Sequence, residues 1–516
     1  MKRPEITPSA LLLMLCVLRL VLPFLLQHPY YQPHRDEYLY LDYANHLAWG
    51  YMETPPLLSG FSKIIQWLGG GKFWVKFIPE LVGTLTLWVA GKISLALGGG
   101  RLSIWLLFCG FVFGAFLRLF HLFQPGFLEV FSWTLMVYTL VKYHLSKQAN
   151  WLLAFGLVCA LGMLAKYTTA FFITALLVGH LLAGQRAIFR QKAFWQGAGL
   201  GLLLLLPNLI WQFQHRFPIA AHMQELRQSQ LVNISPTDFL ASQLFMLLPV
   251  AFIWLTGFWF CAFTVKGKPW RWVAWSYVLL LLILLLGSGK GYYALGIYPT
   301  LLALGALRIG TWLTPKANWL RLTIGALPLI FGAYFLPLGL PPYEPQKMAA
   351  FYEKYGYTRL PFFTWEDQQR HPLPQDFADM MGWQEMTTMI ARNWHLLPDS
   401  VRQHTLIYCR GYYTAGAINF YGPAMGLPTA MSDQGSYLWW MPDHYHFKHL
   451  ILIGHKKPDP DDEVFTHFAS YEVLDSIQQP LFRENGIKMH LFKDADTSMV
   501  KWVEKSIREQ KARFTR

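Results

Sequence analysis

The chain has 516 residues, 54% of them hydrophobic and only 14% charged, with a mean hydropathy of +0.27. This composition excludes a disordered chain and an ordinary soluble domain, and it predicts a polytopic membrane protein. The net charge of +14 does not indicate nucleic-acid binding, because most cations of the apolar part fall in short loops between apolar runs, the pattern of membrane topology and not of a basic stripe.

Met1-Lys2-Arg3 ahead of the apolar stretch Ala10 to Leu26 has the outline of a signal peptide. No small-x-small cleavage site follows, so an uncleaved first helix is expected. Further apolar runs occur near 73–97, 102–120, 126–145, 150–165, 168–185, 194–213, 239–264, 271–288, 292–308 and 318–338. With the first, they predict about eleven transmembrane helices. Placing Lys2 and Arg3 in the cytoplasm puts Arg101, Lys142 and Lys147, Arg186 to Lys192, Lys266 to Arg271, and Arg308 to Arg321 there as well. The opposite loops hold few cations. The alternation predicts a multi-pass protein of the inner (cytoplasmic) membrane, N-terminus cytoplasmic, with the last part of the chain on the periplasmic side.

The first outer loop, about 28–72, is long. It carries Asp36 and Glu37 and then Gly50-Tyr51-Met52-Glu53-Thr54-Pro55-Pro56-Leu57. Leu57, Phe61, Ile64, Ile65 and Leu68 recur at helical spacing, which predicts a helix lying in the outer membrane interface. Carboxylates beside a bilayer are costly unless used, so Asp36-Glu37 is the first candidate site; ordinary interfacial carboxylates, one capping the next helix, are the structural alternative. Lys166 and Lys290 also lie at the outer face, against the positive-inside bias. A charge at mid-bilayer costs about 2.5–3.5 kcal/mol, and either lysine could simply snorkel. As a pair they could grip a lipid phosphate, with Gly289 and Gly291 letting backbone amides approach it. Arg216 is a third candidate cation. Glu80 and Glu129, near the outer ends of their runs, are candidate second acids facing a cavity, and Tyr292 and Tyr293 follow Lys290 as candidate cavity residues.

Beyond Leu340-Pro341-Pro342 the character changes. Helical segments alternate with short apolar strands at Thr405 to Tyr408, His449 to Ile453 and Ile487 to Phe492, which predicts a small extracytoplasmic α/β domain. The expected division is thus 1–339, membrane-embedded, and 340–516, extracytoplasmic. Cys409 is the only cysteine of the polar part, so a disulfide framework is excluded there. His444 and His446 lack a supporting ligand set, so no metal site is assigned. The chain has no Walker loop, dinucleotide fingerprint, metalloprotease motif or GxSxG.

The segment from Arg35-Asp36-Glu37 through Gly50-Tyr51 to Pro55-Pro56-Leu57 resembles the first outer loop of bacterial glycosyltransferase family 39, relatives of the protein O-mannosyltransferases and lipid A aminoarabinose transferases. The likeness continues in Leu164-Ala165-Lys166-Tyr167-Thr168, in Pro207-Asn208-Leu209-Ile210-Trp211 with His215, in Gly289-Lys290-Gly291-Tyr292-Tyr293, and in Ala415 to Gly422 with Gly426-Leu427-Pro428. It spans nearly the whole chain. The resemblance implies a GT-C fold with interfacial helices in the first outer loop, and an active site at the outer leaflet. It also implies a polyprenyl-phosphate sugar donor, inverting transfer, Asp36 as base with Glu37 beside it in the acceptor site, and Lys166 and Lys290 near the lipid phosphate. Glu80 departs from the family, where a small residue is common, as does Cys409-Arg410-Gly411-Tyr412-Tyr413, where an acidic residue is common. The scheme requires no cofactor and leaves a divalent metal open; the acceptor, whether protein, lipid or glycan, is not specified. A transporter or flippase for a lipid-linked anion would use the same cations but should show repeated halves or broken mid-bilayer helices. A non-catalytic scaffold with a glycan-binding C-terminal domain leaves Asp36-Glu37 unexplained.

Overall fold

The computed structural model describes residues 6–229, 232, 234–313, 318–455 and 466–514. The helices are α1 Pro8–Leu26, α2 Arg35–Asp42, α3 Leu57–Trp67, α4 Lys72–Ala96, α5 Arg101–Val112, α6 Ala115–Leu119, α7 Pro125–Ser146, α8 Asn150–Ala165, α9 Thr169–Leu182, α10 Lys192–Gln214, α11 Pro218–Ser229, α12 Pro236–Phe245, α13 Ala251–Phe263, α14 Arg271–Leu286, α15 Tyr298–Trp312 and α16 Asn318–Gly339. The protein is polytopic and helical, as its composition demands, but the expected count of about eleven spans is corrected. Among the described residues six helices are long and apolar enough to cross a membrane, or seven if α12 and α13, bent by 60°, make one broken span. The apolar runs do all form helix. However, the run at 102–120 breaks between α5 and α6, where Gly114 adopts an extended conformation. Helices α8 and α9 have 16 and 14 residues, about 24 and 21 Å at 1.5 Å per residue, short of a hydrocarbon core of about 30 Å.

The peripheral and central helices separate by burial. The apolar windows of α1, α10 and α16 are 28%, 28% and 17% buried, whereas that of Gly291–Trp312 is 83% buried. The exposed faces carry Leu13, Val17, Leu203, Leu206, Trp319, Leu322 and Ile330, side chains that suit lipid. Lipid offers no hydrophobic drive for helices to associate, so close backbone approach matters. Gly156 and Gly197 provide it between α8 and α10: a Cβ on Gly156 would lie 2.1 Å from the Gly197 carbonyl oxygen.

The C-terminal part has the strands β1 Thr405–Cys409, β2 His449–Gly454, β3 Phe468–Ser476 and β4 Lys488–Ala495, ordered β1-β2-β4-β3. β1 and β2 are parallel, and the other pairs are antiparallel. Three of these strands coincide with the predicted apolar segments. β3 was not predicted because it is a largely exposed edge strand, with Glu472 and Asp475 in its sequence, and so lacks an apolar signal. Helices α17 Pro345–Lys354, α18 Gln375–Ala378, α19 Trp383–Leu396, α20 Asp399–Arg402, α21 Tyr412–Tyr421, α22 Tyr437–Trp440 and α23 Thr497–Ala512 accompany the sheet.

Tyr31, Tyr38, Leu39, Tyr43 and Tyr51 of the first loop share one hydrophobic core with Trp383, Met386, Ile418, Ile453 and Leu491. The loop is therefore packed into the C-terminal part, in addition to any contact with the membrane. At the crossing of α2 and α21 a Cβ on Gly416 would lie 2.8 Å from the Tyr38 Cβ and 2.9 Å from its carbonyl carbon; only glycine admits this approach.

Candidate active site

Helix α2 carries the acidic pair and is fixed at its start. His34 is its N-cap, and its Nδ1 accepts the Asp36 N–H at 3.2 Å. Glu37, at N3, closes the capping box by accepting the His34 backbone N–H. The same carboxylate accepts the Phe123 N–H, from the turn before α7, and two bonds from Lys76 Nζ at 2.7 and 2.9 Å. Glu37 is fully buried and Lys76 is 3% exposed. These bonds brace α2 against α4 and the α6–α7 turn.

Asp36 points the other way and keeps 30% of its side chain exposed. Tyr412 Oη donates to Oδ1 at 2.8 Å, and Arg35 Nε lies 3.4 Å from the same oxygen. Among the described residues Oδ2 has no hydrogen-bond partner, which leaves one oxygen free to receive a proton. Burial alone would raise the Asp36 pKa, but His34, Arg35 and the Tyr412 hydrogen bond outweigh it and hold the carboxyl below its ordinary value. Burial also keeps the His34 ring neutral, with its pKa pushed down to about 3. Arg35 and Tyr412 are therefore the contributions that persist at neutral pH.

Of the predicted cations, Lys166 is the C-cap of α8 and Lys290 lies in the turn before Tyr292. Lys166 Nζ is 2.8 Å from the Glu129 carboxylate, which also accepts a bond from Thr168. It sits over the rings of Tyr293 (4.6 Å) and Tyr292 (5.5 Å). Lys166, Glu129, Tyr292 and Tyr293, predicted separately, thus form one cluster. Burial lowers the Lys290 pKa, and the charges acting on it are Glu366, Asp36, Lys166 and Arg35, so both lysines and the base belong to one electrostatic neighbourhood. Arg216 is exposed in the turn after α10, in left-handed conformation (φ 56°), and no described side-chain bond ties it to this group. Glu80, the other candidate second acid, has partners of its own. It is fully buried, ion-paired with Arg19, and bonded to His121 Nδ1 at 2.8 Å.

The C-terminal part forms a wall of the site. Besides Tyr412, it supplies Asn419 and Tyr437, whose side chains donate to Asp42 at 2.8 and 2.6 Å, and Ser436, whose N–H and hydroxyl donate to Glu53 at 2.8 and 2.6 Å. Arg483 bridges Asp379 and Glu366 at 3.0 and 2.8 Å. Tyr412 lies in the stretch that departs from the family pattern, whereas nothing in the sequence signalled Glu366 or Arg483. Lys76 and Arg19 do leave a signal in the sequence, a charge inside an apolar run. His34, Asp376 and Asp379 offer ligand atoms within 4.8 Å of one another, a spacing that could hold a metal ion. The two aspartates are also ion-paired with Arg118 and Arg483.

A family model described as dolichyl-phosphate-mannose-protein mannosyltransferase matches residues 54–211. That stretch includes Glu129 and Lys166 and begins after Asp36. No curated protein matches the chain. Among solved structures, ArnT from Cupriavidus metallidurans bound to undecaprenyl phosphate is similar, with a TM-score of 0.59 at 14% identity over 93% of this chain and 97% of that one. The same protein in the apo state gives 0.58 at 13% identity with the same coverage. At such low identity the likeness concerns architecture: from near its start to near its end, including the C-terminal part, this chain has the fold of ArnT.

Proposed function

We propose that this protein is an inverting glycosyltransferase that moves a sugar from a polyprenyl-phosphate carrier to an extracytoplasmic acceptor in the cell envelope. The observation that carries the reading is the Asp36 carboxylate, held by Tyr412 through one oxygen with the other outside hydrogen-bond reach of the described residues, and acting together with Lys166 on the charge of Lys290. The match to a family named for a dolichyl-phosphate sugar donor, and the fold of a protein solved with undecaprenyl phosphate, support the donor class. In this reading residues 1–339 form the membrane-embedded transferase of the inner membrane, and residues 340–516 form a periplasmic domain that closes the site.

The acceptor hydroxyl attacks the anomeric carbon opposite the phosphate. Its new bond to carbon forms as the carbon–oxygen bond to phosphate breaks, and its proton passes to Asp36. Polyprenyl monophosphate leaves with one more negative charge than the donor carried, while Asp36 loses its own, so the cavity keeps its total charge. A carboxyl of low pKa stays ionised and ready; the hydroxyl becomes strongly acidic only as its bond to carbon forms, so the proton moves late. Lys290 and Lys166 stabilise the growing phosphate charge where little water competes. Glu37 and Lys76 fix α2, and the His34–Asp376–Asp379 cluster is left outside the scheme.

The test is reconstitution with labelled polyprenyl-phosphate sugars and a cell-envelope extract, comparing wild type with Asp36→Asn. Loss of the base is expected to slow transfer roughly 10²–10⁴-fold. Transfer that survives the substitution sinks Asp36 as base. Flipping of the labelled lipid without transfer assigns the protein to transport.

A further inference from the structure

Transfer as written carries one negative charge from Asp36 to the leaving phosphate, so a cation able to leave the one for the other would assist it. Resting on the transferase reading above, we propose that Arg35 is that cation: its guanidinium shares Asp36 while the carboxylate is ionised, and binds the donor phosphate as the carboxylate takes the proton.

The geometry distinguishes it from the other cations of the cavity. Its backbone is pinned by the N–H bond to the Asp379 carbonyl at 3.1 Å, and its guanidinium lies 5.1 Å from the centre of the Tyr413 ring. The charges acting on it are Asp36, Tyr412, Asp379 and Glu366, and it acts in turn on Lys290. Only Nε is engaged, by the long 3.4 Å contact to Asp36. Among the described residues neither Nη atom has a hydrogen-bond partner, and the side chain retains 16% exposure. Lys166, by contrast, divides its charge between the phosphate and Glu129, which lies 2.8 Å from its Nζ. A planar guanidinium with two unengaged amino groups matches two phosphate oxygens at once, which an ammonium does not. Protonation of Asp36 removes the charge that holds Nε and frees the guanidinium for the phosphate.

The experiment uses the full-length protein in nanodiscs, as wild type, Arg35→Lys and Arg35→Gln, each first shown to be monodisperse. Binding of polyprenyl monophosphate, which needs no turnover, is measured beside the kcat and KM of transfer from a labelled polyprenyl-phosphate sugar. For Arg35→Gln a roughly ten- to hundredfold loss of phosphate affinity is expected, the worth of a charged hydrogen bond. Its kcat should fall with it, and added guanidinium ion should restore part of the rate. Arg35→Lys should recover only part of the affinity. Wild-type affinity in Arg35→Gln, or a rate loss that guanidinium leaves unchanged, overturns the proposal. A wild-type protein that binds the monophosphate but transfers no sugar refutes the transferase reading instead, while the affinity series still tests Arg35.

Discussion

Replacing Lys76 with methionine isolates the brace beneath the candidate base. The pair it forms with Glu37 is buried on both sides, 3% and 0% exposed, with Nζ 2.7 and 2.9 Å from the two oxygens. Removing one partner of such a pair strands the other charge, at a cost of about 3–5 kcal/mol. Glu37 keeps the His34 and Phe123 N–H bonds, so the lower end of that range is expected for Lys76→Met. Glu37→Gln strands the ammonium and should cost a similar amount. The double variant removes both charges and leaves about one backbone N–H without an acceptor, about 1–3 kcal/mol, so it should be more stable than either single variant. The assay is denaturant unfolding of the purified protein in a fixed detergent–lipid mixture, run as a double-mutant cycle. Lys76→Met as stable as wild type, or a double variant as unstable as the sum of the singles, refutes the brace. Because α2 carries Asp36, transfer by Lys76→Met should fall even at temperatures where the variant remains folded.

The Asp36 carboxyl is held below its ordinary pKa in spite of burial, with Arg35 and the Tyr412 hydroxyl among the causes. In the proposed reaction the active form is the carboxylate, so transfer is expected to persist as pH falls through the usual carboxylate range and to fail only below it. Tyr412→Phe removes one of the lowering contributions; the acid limb of the pH–rate profile should move to higher pH, and a limb that stays put or moves lower contradicts the assignment. The same depressed pKa contributes stability above the unfolded value that is lost as pH falls through the folded one. Gly156→Ala drives a Cβ into the Gly197 carbonyl oxygen, and overpacking of that kind costs about 1–3 kcal/mol; a lower unfolding midpoint in detergent is expected, and an unchanged one shows that α8 and α10 separate freely.

The separation between what is local and what is not runs through individual residues. The apolar runs were legible as helices because each satisfies its own backbone within the segment, but whether a run spans depends on breaks and lengths, such as the one at Gly114, that hydropathy smooths over. β1, β2 and β4 were legible as buried apolar strands, whereas β3 was not, because an edge strand needs no apolar alternation.

At the site, Asp36-Glu37 is legible from residue order alone as an anomaly beside a membrane, and Lys166 and Lys290 as cations against the expected charge bias, since a charge near lipid is costly wherever the chain goes next. That the two carboxylates face different partners follows from tertiary packing. One helical step, about 100° of rotation, turns Glu37 inward to Lys76 and Asp36 outward to Tyr412, a partner 376 residues away along the chain. It likewise turned Glu129 into the counter-ion of Lys166 and buried Glu80 with Arg19 and His121. Sequence records which charges a chain carries; which of them cancel and which remain available depends on the packing of segments that are remote from one another along the chain.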